Sequence, residues 1–344
     1  MIFTKSYTGV SSACFGAVPI RRGKRAAEGG GHAACRPQGI SGQGTATLLA
    51  RLLCACLVAA AIGCGSSDEG DEGDEGTPAE TAAIAGAPGT EAAAAVGEDR
   101  SGEQRGAPAR IPSPEDLRRA LKQVNPGFDG QVLVQPMGRG VGVAVNDPAV
   151  RDISPLAELP LVVVDLSETQ VTDLSPLRGK PLEVVYLSHV PVEDISPLEG
   201  APIRELNLLR TRVRDLTPLR DMRYLGMLWL NDTPVEDIRP LATVPLVSLT
   251  LAGTRVSDLT PLKGHPTLQR LHIARTPVSD LSVLRWLRLT RLIFTPGRIE
   301  KGIEYARAMH TLREIGTAFG EPEYGDDRTS PSLFWQRYDA GQYR

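Results

Sequence analysis

Aromatic residues are scarce in this 344-residue chain, and those present are unevenly placed. Only 5% of the residues are Phe, Trp or Tyr, and all three Trp and six of the seven Tyr lie after residue 110. The first 110 residues are instead rich in Gly, Ala, Ser and charged side chains. A stretch with so few large apolar groups cannot bury enough surface to offset the entropy cost of ordering. We therefore expect only the later part to form a sizeable core.

Cysteine and an excess of basic residues are also missing from that later part. The five cysteines are Cys14, Cys35, Cys54, Cys56 and Cys64, and all precede residue 65. The later part therefore has no thiol for a disulfide, a zinc cluster or a cysteine nucleophile. The formal net charge of −3 gives no basic footprint for nucleic acid, so we expect no nucleic-acid partner.

Motifs of the common catalytic classes are absent from the sequence. It has no glycine-rich phosphate loop, no HRD-type catalytic loop, no DFG, no GxSxG and no HExxH. No histidine lies near a second ligand at metal spacing, apart from His265 and His272, which fall on different faces of the repeat described below. We therefore expect a non-enzymatic protein with no metal and no cofactor.

An uncharged apolar run, LLCACLVAAAIG (52–63), follows Arg51 and leads directly into Cys64. It is too short to cross a bilayer comfortably, but it suits the core of a signal peptide. The ending Ala61-Ile62-Gly63-Cys64 resembles the bacterial lipobox, although Leu is commoner where Ala61 stands. This resemblance implies a lipoprotein-type signal at 46–64 and lipidation of Cys64. An ordinary secretory signal with a chance cysteine, or a stray apolar segment, stays open as an alternative.

The segments on either side of this signal are predicted to lie outside any fold. Residues 65–110 begin with the acidic repeat GSSDEGDEGDEG, which is typical of a flexible disordered tether. Residues 1–45 precede the signal, so we hypothesise a start codon assigned too far upstream and a spurious or disordered extension. Initiation mapped to Met1 would contradict this. Together these segments predict a membrane-anchored lipoprotein of the bacterial cell envelope, facing the periplasm or the cell surface.

A short motif, Asp-(Leu/Ile)-(Ser/Thr)-Pro-Leu, recurs along the later part and defines a repeat. It begins at Asp152, Asp173, Asp194, Asp215 and Asp258, with variants at Asp237 and Asp280. The seven copies are 21 or 22 residues apart, which is a specific signal of a solenoid. The second half of each unit follows the pattern L-x-x-L-x-L-x-x-T-x-V, as in LVSLTLAGTRV (246–256). This pattern resembles the leucine-rich repeat, with Thr where many repeats carry Asn.

Each half of the unit predicts one local structure. The alternation L-x-L predicts a short strand with one buried face, because successive side chains point to opposite sides. Ser or Thr before Pro favours a single helical or 3₁₀ turn with the hydroxyl as its N-cap. The recurring Asp and Thr are interpreted as hydrogen-bonding partners of the backbone in the turns, in preference to metal ligands or catalytic groups. The predicted fold is an α/β solenoid of leucine-rich repeats, with parallel strands on the concave face and short turns on the convex face.

Helical caps are predicted at both ends of the solenoid, since its terminal coils need cover. The first cap has a helix starting at Ser113-Pro114 and running to about Val124, followed by a strand at 130–135 and a degenerate first repeat, all within 111–150. Repeats occupy 151–297. The second cap, 298–344, has a helix at 299–310, an edge strand around Leu312 and Ile315, and a final helix from Ser330 that holds Phe334, Trp335 and Tyr338.

Both caps and the repeats are similar to a region of planctomycete and related bacterial proteins, including myxobacterial ones. The resemblance lies in LKQVNPGFDG (121–130), in the tandem units such as DLSPLRGKPL, and in TPGRIEKGIEYARAMHTLREIGT with FWQRYDAGQY near the end. In those proteins the region often follows a Ser/Thr protein kinase domain. The resemblance implies the fold and a presumed role in protein binding. This chain departs from the pattern, because a signal and a tether occupy the place of the kinase.

The concave face is the predicted partner site. Its outward positions hold Tyr186, Glu205, Met227, Trp229, Arg270, His272 and Arg291. Exposed aromatic side chains often become binding hot spots. The predicted surface charge also changes along the solenoid and would orient a partner. Acids lie on the early coils (Asp165, Glu168, Glu205) and cations on the late coils (Arg270, Arg275, Arg291). A solvated sheet face with incidental aromatics is the alternative. The favoured function is a membrane-tethered protein-binding module with an unknown partner; a structural envelope lipoprotein and the regulatory subunit of an envelope enzyme are the others.

Overall fold

The computed structural model describes residues 111–319 and 325–343. The predictions for 1–45, 46–64 and 65–110, including lipidation of Cys64, concern residues outside these ranges. No helix in the described ranges is long and apolar enough to span a membrane. The described residues form one ladder of ten strands in chain order, with a main apolar core that extends from Leu117 to Trp335.

The N-terminal cap is helix α1, Pro114–Val124, followed by a hairpin. Ser113 caps the helix as predicted, since its Oγ accepts the Asp116 N–H at 3.1 Å. Asn125 ends the helix and ties it to the first coil, because its Nδ2 donates to the carbonyl of Asp152 at 2.7 Å. Strands β1 (Leu133–Met137) and β2 (Gly140–Ala144) pair antiparallel. The strand predicted at 130–135 therefore starts later and belongs to a hairpin.

The repeats supply seven parallel strands, each paired with its neighbours. They are β3 (Leu161–Asp165), β4 (Val184–Tyr186), β5 (Glu205–Asn207), β6 (Met227–Trp229), β7 (Ser248–Thr250), β8 (Arg270–His272) and β9 (Arg291–Ile293). The pairing between these strands has no register shift. Each coil has 21 or 22 residues, so equivalent residues of successive repeats lie side by side in the sheet. The predicted leucine-rich-repeat solenoid is confirmed.

Seven 3₁₀ turns cover the convex side, and the recurring aspartates hold their first residues. The turns are Ser154–Leu156, Ser175–Leu177, Ser196–Leu198, Thr217–Leu219, Arg239–Leu241, Thr260–Leu262 and Ser282–Trp286. In every coil the Asp Oδ1 accepts the backbone N–H two residues later at 2.7–2.8 Å. The Ser or Thr is thus the first residue of the turn and makes no capping bond, so the prediction of a hydroxyl N-cap was wrong.

The recurring threonines satisfy the backbone from inside the coil. Each Oγ1 donates to the carbonyl three residues earlier at 2.6–2.8 Å, and all five side chains are buried: Thr169, Thr211, Thr233, Thr254 and Thr276. The predicted backbone role is therefore observed, with the hydroxyl as donor. A buried hydroxyl without such a partner would cost free energy.

The C-terminal cap contains helices α2 (Ile303–Arg307) and α3 (Pro331–Asp339) around edge strand β10 (Glu314–Gly316). Helix α2 is shorter than the predicted 299–310, because Gly302 has a φ of 81° and interrupts helical backbone on that side. A Cβ at Gly302 would lie 2.3 Å from the Ser282 amide nitrogen, so the chain passes close to the previous coil there. In α3, Phe334 and Trp335 are buried, as expected for a cap.

Candidate binding surface

The concave face is formed by the outward side chains of β3 to β9, in two rows. The central row is Asp165, Tyr186, Asn207, Trp229, Thr250, His272 and Ile293, and the flanking row is Val163, Val184, Glu205, Met227, Ser248, Arg270 and Arg291. In-register pairing makes equivalent residues direct neighbours, so Trp229 lies between Asn207 and Thr250. The seven residues predicted for the partner site all lie in these two rows, but their surroundings differ along the face.

The N-terminal third of the concave face is apolar and closed. Val163 and Val184 are each only 1% exposed, and they form a second apolar cluster that packs against Leu133 and Met137 of the hairpin. Asp165 is equally buried, and its Oδ1 accepts the Ser167 N–H at 3.0 Å. Asp165, the first acid of the predicted charge gradient, is therefore not exposed on the surface.

Tyr186 and Glu205 form a pair at the edge of this closed third. The Tyr186 hydroxyl donates to Glu205 Oε2 at 3.0 Å, and Glu205 is 3% exposed. Burial raises the pKa of the Glu205 carboxyl, while the Tyr186 hydrogen bond and the charge of Arg270 act in the opposite direction. Glu205 Oε1 has no hydrogen-bond partner among the described residues. Glu205 was predicted as an exposed acid, and it is instead a buried acceptor.

The middle of the face, which we call the window, is the part where large side chains stay partly exposed. Tyr186, Met227 and Trp229 are each half-buried, as are the smaller neighbours Asn207 and Ser248. The face is more closed towards its two ends, where Val163, Val184, His272 and Ile293 are buried. Arg270 reaches back across β7 and brings its Nη2 to 3.9 Å from Met227 Sδ. Burial lowers the pKa of Arg270, and the neighbouring Arg291 lowers it further. The window therefore combines aromatic and thioether surface with partly desolvated charged groups.

Two more polar atoms border the window without a partner among the described residues. These are Thr250 Oγ1, next to Trp229, and Arg270 Nε, on the far side of Met227. Together with Glu205 Oε1, they place two acceptors and one N–H donor near the half-buried rings. All three atoms are buried in the free protein, so a ligand can pair with them only if neighbouring side chains move.

The C-terminal third is covered by a strap, which we define as residues 316–319 and 325–329. Its two parts are joined by Asp327, whose Oδ1 accepts the N–H groups of Thr317 and Ala318 at 2.7 and 2.8 Å. Phe319 extends over the concave face, with the guanidinium carbons of Arg291 and Arg328 at 4.7 and 4.1 Å from its ring centroid. Arg291 also forms an ion pair with Glu314. Arg291 is therefore only partly exposed, with 18% of its side chain accessible.

His272 lies under this strap. Its ring centroid is 6.5 Å from that of Phe319, and the side chain is 4% exposed, while Ile293 on the next strand is fully buried. Burial lowers the pKa of His272 to about 3, and the charges of Arg275 and Arg291 contribute in the same direction. His272 was predicted as an exposed contact residue. It is instead a neutral residue beneath the strap.

The residue just past each strand forms a strained row along one edge of the face. Glu168, His189, Arg210, Asp232 and Arg275 have φ between 53° and 66°, a region that costs non-glycine residues energy. Arg210 and Arg275 both contact Asp232, at 3.4 and 3.1 Å. The cations on this edge are therefore neutralised, and this is a further departure from the predicted gradient.

Potential metal ligands are not clustered in the part of the chain that the structure describes. Within 111–319 and 325–343, no group of three His, Cys, Asp or Glu side chains could hold a metal ion. His265, the other buried histidine, lies on a different side of the coil, with its Nε2 at 2.8 Å from the Val244 carbonyl. The geometry supports contact with a ligand through rings and hydrogen bonds.

Comparison with known proteins gives structural neighbours only. No family model and no curated protein matches the sequence. Two similar solved structures are internalins from Listeria monocytogenes. The internalin InlF is 21% identical, with 61% of this chain and 76% of that chain covered at a TM-score of 0.45. The internalin InlC2 is 26% identical, with 51% and 80% covered at a TM-score of 0.47.

A third similar structure is the plant peptide hormone receptor RGFR1 in complex with RGF2. It is 13% identical, with 55% of this chain and 36% of that chain covered, and the TM-score is 0.42. All three alignments have TM-scores below 0.5, so the assignment of the solenoid rests on the ten-stranded ladder and its 3₁₀ turns.

Sequence reasoning missed the strap residues Phe319, Asp327 and Arg328. They lie between the predicted edge strand and the final helix, in a segment with no repeat signal. The one available hint was an isolated Phe followed by the charged stretch around Asp326-Asp327-Arg328, which has no place in a hydrophobic cap.

Proposed function

We propose that this chain is a non-catalytic protein-binding module and that its partner contacts the window of the concave face. The observation that carries the proposal is the half-buried set Tyr186, Met227 and Trp229 between two closed regions of the same face. Aromatic side chains and Met are enriched in the cores of protein interfaces, and large rings dominate their energetics. The closed thirds on either side restrict the partner to the middle coils.

The polar atoms around the window suggest the kind of partner segment that fits. Glu205 Oε1 and Thr250 Oγ1 can accept and Arg270 Nε can donate once side-chain movement on binding exposes them, because all three are buried in the free protein. A polypeptide backbone or an amide side chain offers both N–H and C=O groups at close spacing, and so matches this mixed set. Apolar side chains of the same segment would pack on Trp229 and Met227.

Quantitative capture experiments with the full chain test this proposal. Trp229→Ala should weaken partner binding by about 30-fold or more, since interface hot spots contribute about 2 kcal/mol or more. Val124→Ala removes another exposed apolar side chain, in the cap helix, and should bind like the wild type. Cell-envelope extracts are the source, and the criterion is a protein that is lost with Trp229→Ala and kept with Val124→Ala. If Trp229→Ala folds and captures every partner as the wild type does, the window is not the site.

We also propose that the module is a lipoprotein of the bacterial cell envelope, anchored through Cys64. The support is the sequence alone: the apolar run at 52–63, the small residues before Cys64 and the acidic segment after it. Labelled fatty acid should be incorporated by the wild type and by Cys54→Ser and Cys56→Ser, but not by Cys64→Ser. Equal labelling of all three variants would contradict the anchor.

A further inference from the structure

A second surface of the solenoid is rich in exposed basic residues. It consists of four loops that lead into β6, β7, β8 and β9, the last of which includes the end of the 3₁₀ turn Ser282–Trp286. These loops (220–226, 242–247, 263–269 and 285–290) contain five basic residues and one acid, Asp221. All five basic side chains are exposed: Arg220, Arg223, Lys263, Arg285 and Arg288. We call this surface the basic edge.

The cations of the basic edge form no ion pair with an acid within the described residues. Among these five, Arg220 has an electrostatic interaction with a nearby acid, Asp215. On the opposite edge, by contrast, Arg212 pairs with Glu193 at 3.8 Å and Arg255 pairs with Glu236 at 3.2 Å. The chain as a whole is slightly acidic, with a formal net charge of −3. The positive charge is therefore segregated on one side and is available to an external anion.

Two exposed aromatic rings stand on the same edge. Tyr224 and Trp286 are 58% and 51% exposed, the highest values among the large apolar side chains of the described residues. Lys263 Nζ lies 5.2 Å and Arg285 Cζ lies 5.0 Å from the centroid of the Trp286 ring. Such rings are unfavourable in bulk water, but they are enriched where lipid headgroups meet water.

The shape of the edge is the third observation. In-register strand pairing aligns the four loops in a row with a step of about 4.8 Å per coil, so Tyr224 and Trp286 are separated by about 15 Å along the solenoid. A row of protruding loop tips can touch a flat surface at several points at once. Long basic side chains can extend to phosphates while the rings enter the headgroup layer.

We propose that the basic edge binds the anionic phospholipid surface of a bilayer, with Trp286 inserted among the headgroups. Exposed rings beside unpaired cations favour a bilayer over a purely ionic polymer, because only the bilayer offers both phosphate and apolar surface. In this orientation the concave window faces sideways, away from the lipid. The inference concerns a different surface from the window, and it does not depend on lipidation of Cys64.

Vesicle partitioning of the full chain tests this surface. All proteins carry Cys64→Ser, so that no attached lipid contributes, and the vesicles are phosphatidylcholine with or without phosphatidylglycerol. A basic residue near an anionic bilayer strengthens binding by about fivefold. Reversing two of them, in Lys263→Glu with Arg285→Glu, should therefore reduce the preference for anionic vesicles by at least about 25-fold. The apolar run at 52–63 is present in every variant and cancels in this comparison.

The matched control reverses the same number of charges on the opposite edge, in Arg212→Glu with Arg214→Glu. It should retain the preference to within a few-fold, because charges more than about 10 Å away are screened at moderate salt. Brominated phosphatidylcholine in anionic vesicles should quench the emission of Trp286, and the quenching should disappear in Trp286→Phe.

Three results would overturn the proposal. One is equal binding of the wild type to neutral and anionic vesicles. Another is an equal loss in both double variants, which would mean that overall charge alone governs binding. The last is tight binding to a soluble polyanion such as heparin with no preference for anionic vesicles. None of these results bears on partner capture by the window, which is measured with Trp229→Ala.

Discussion

The buried histidine beneath the strap makes the stability of this protein depend on pH. His272 is 4% exposed, and its pKa is lowered from 6.5 to about 3, first by burial and then by the charges of Arg275 and Arg291. The unfolded chain takes up a proton on this ring as the pH falls below 6.5, whereas the folded chain keeps it neutral down to about pH 3. Stability linked to His272 is therefore complete above pH 6.5 and is lost progressively between these two values.

The size of the effect follows from the pKa shift. Each pH unit between the two pKa values is worth about 1.4 kcal/mol, so the contribution of His272 falls by about 2 kcal/mol between about pH 7.5 and about pH 5. Glu205, whose pKa is raised, changes stability in the opposite direction in acid. The comparison must therefore be made between the wild type and His272→Gln, which removes this one titration and leaves Glu205 in place.

Urea unfolding at the two pH values, followed by circular dichroism, measures the difference. The wild type should lose about 2 kcal/mol more than His272→Gln on going from neutral to acidic buffer. The control is His310→Gln, which removes an exposed imidazole and should keep the wild-type dependence. If His272→Gln and the wild type lose the same amount, the ring is not held neutral under the strap. An NMR titration that placed the pKa of His272 near 6.5 would refute the same reasoning.

Three further predictions concern the coils, and unfolding in urea is the common measurement. Leu206→Asp should abolish cooperative unfolding, because a charge would be buried without a partner in the core, whereas Leu206→Met should cost less than about 1.5 kcal/mol. Asp173→Ala should cost about 1 kcal/mol, because the Ser175 N–H loses the acceptor now 2.8 Å away, and Asp173→Asn should cost less. Residue 168 has a φ of 66°, a backbone conformation that glycine adopts easily and a β-branched residue does not. Glu168→Gly should therefore stabilise the protein by about 0.5–1 kcal/mol and Glu168→Val should destabilise it. Equal stabilities of the two variants would contradict the proposed strain.

The repeat period predicted more of the fold than of the binding surface. Residues such as Leu206 and Leu228 could be placed in the core from the alternation of L-x-L, because the alternation of side chains in a strand is a local property of the backbone. The capping of α1 by Ser113 was predictable for the same reason. The length of α2 was not, because it depends on the close approach of Gly302 to Ser282 in the preceding coil.

Exposure on the concave face was decided by segments far away in the sequence. Trp229 and His272 occupy equivalent positions in their repeats, yet one ring is half-exposed and the other is buried. The difference comes from Phe319, which folds back over His272 from the C-terminal cap and has no repeat signal of its own. The basic edge could not be predicted from the repeat pattern for a related reason. Its basic residues occupy different positions in different coils, and they form one surface only because they lie on the same side of the folded solenoid.

The length of the coil, the apolar positions of its core and the register of its strands follow from the sequence alone. They depend on backbone periodicity and on contacts between neighbouring repeats, which the interval of 21 or 22 residues specifies. Which outward side chains meet solvent follows from tertiary contacts instead. That property depends on what the hairpin and the strap cover, and contacts over such distances leave no periodic pattern in the chain.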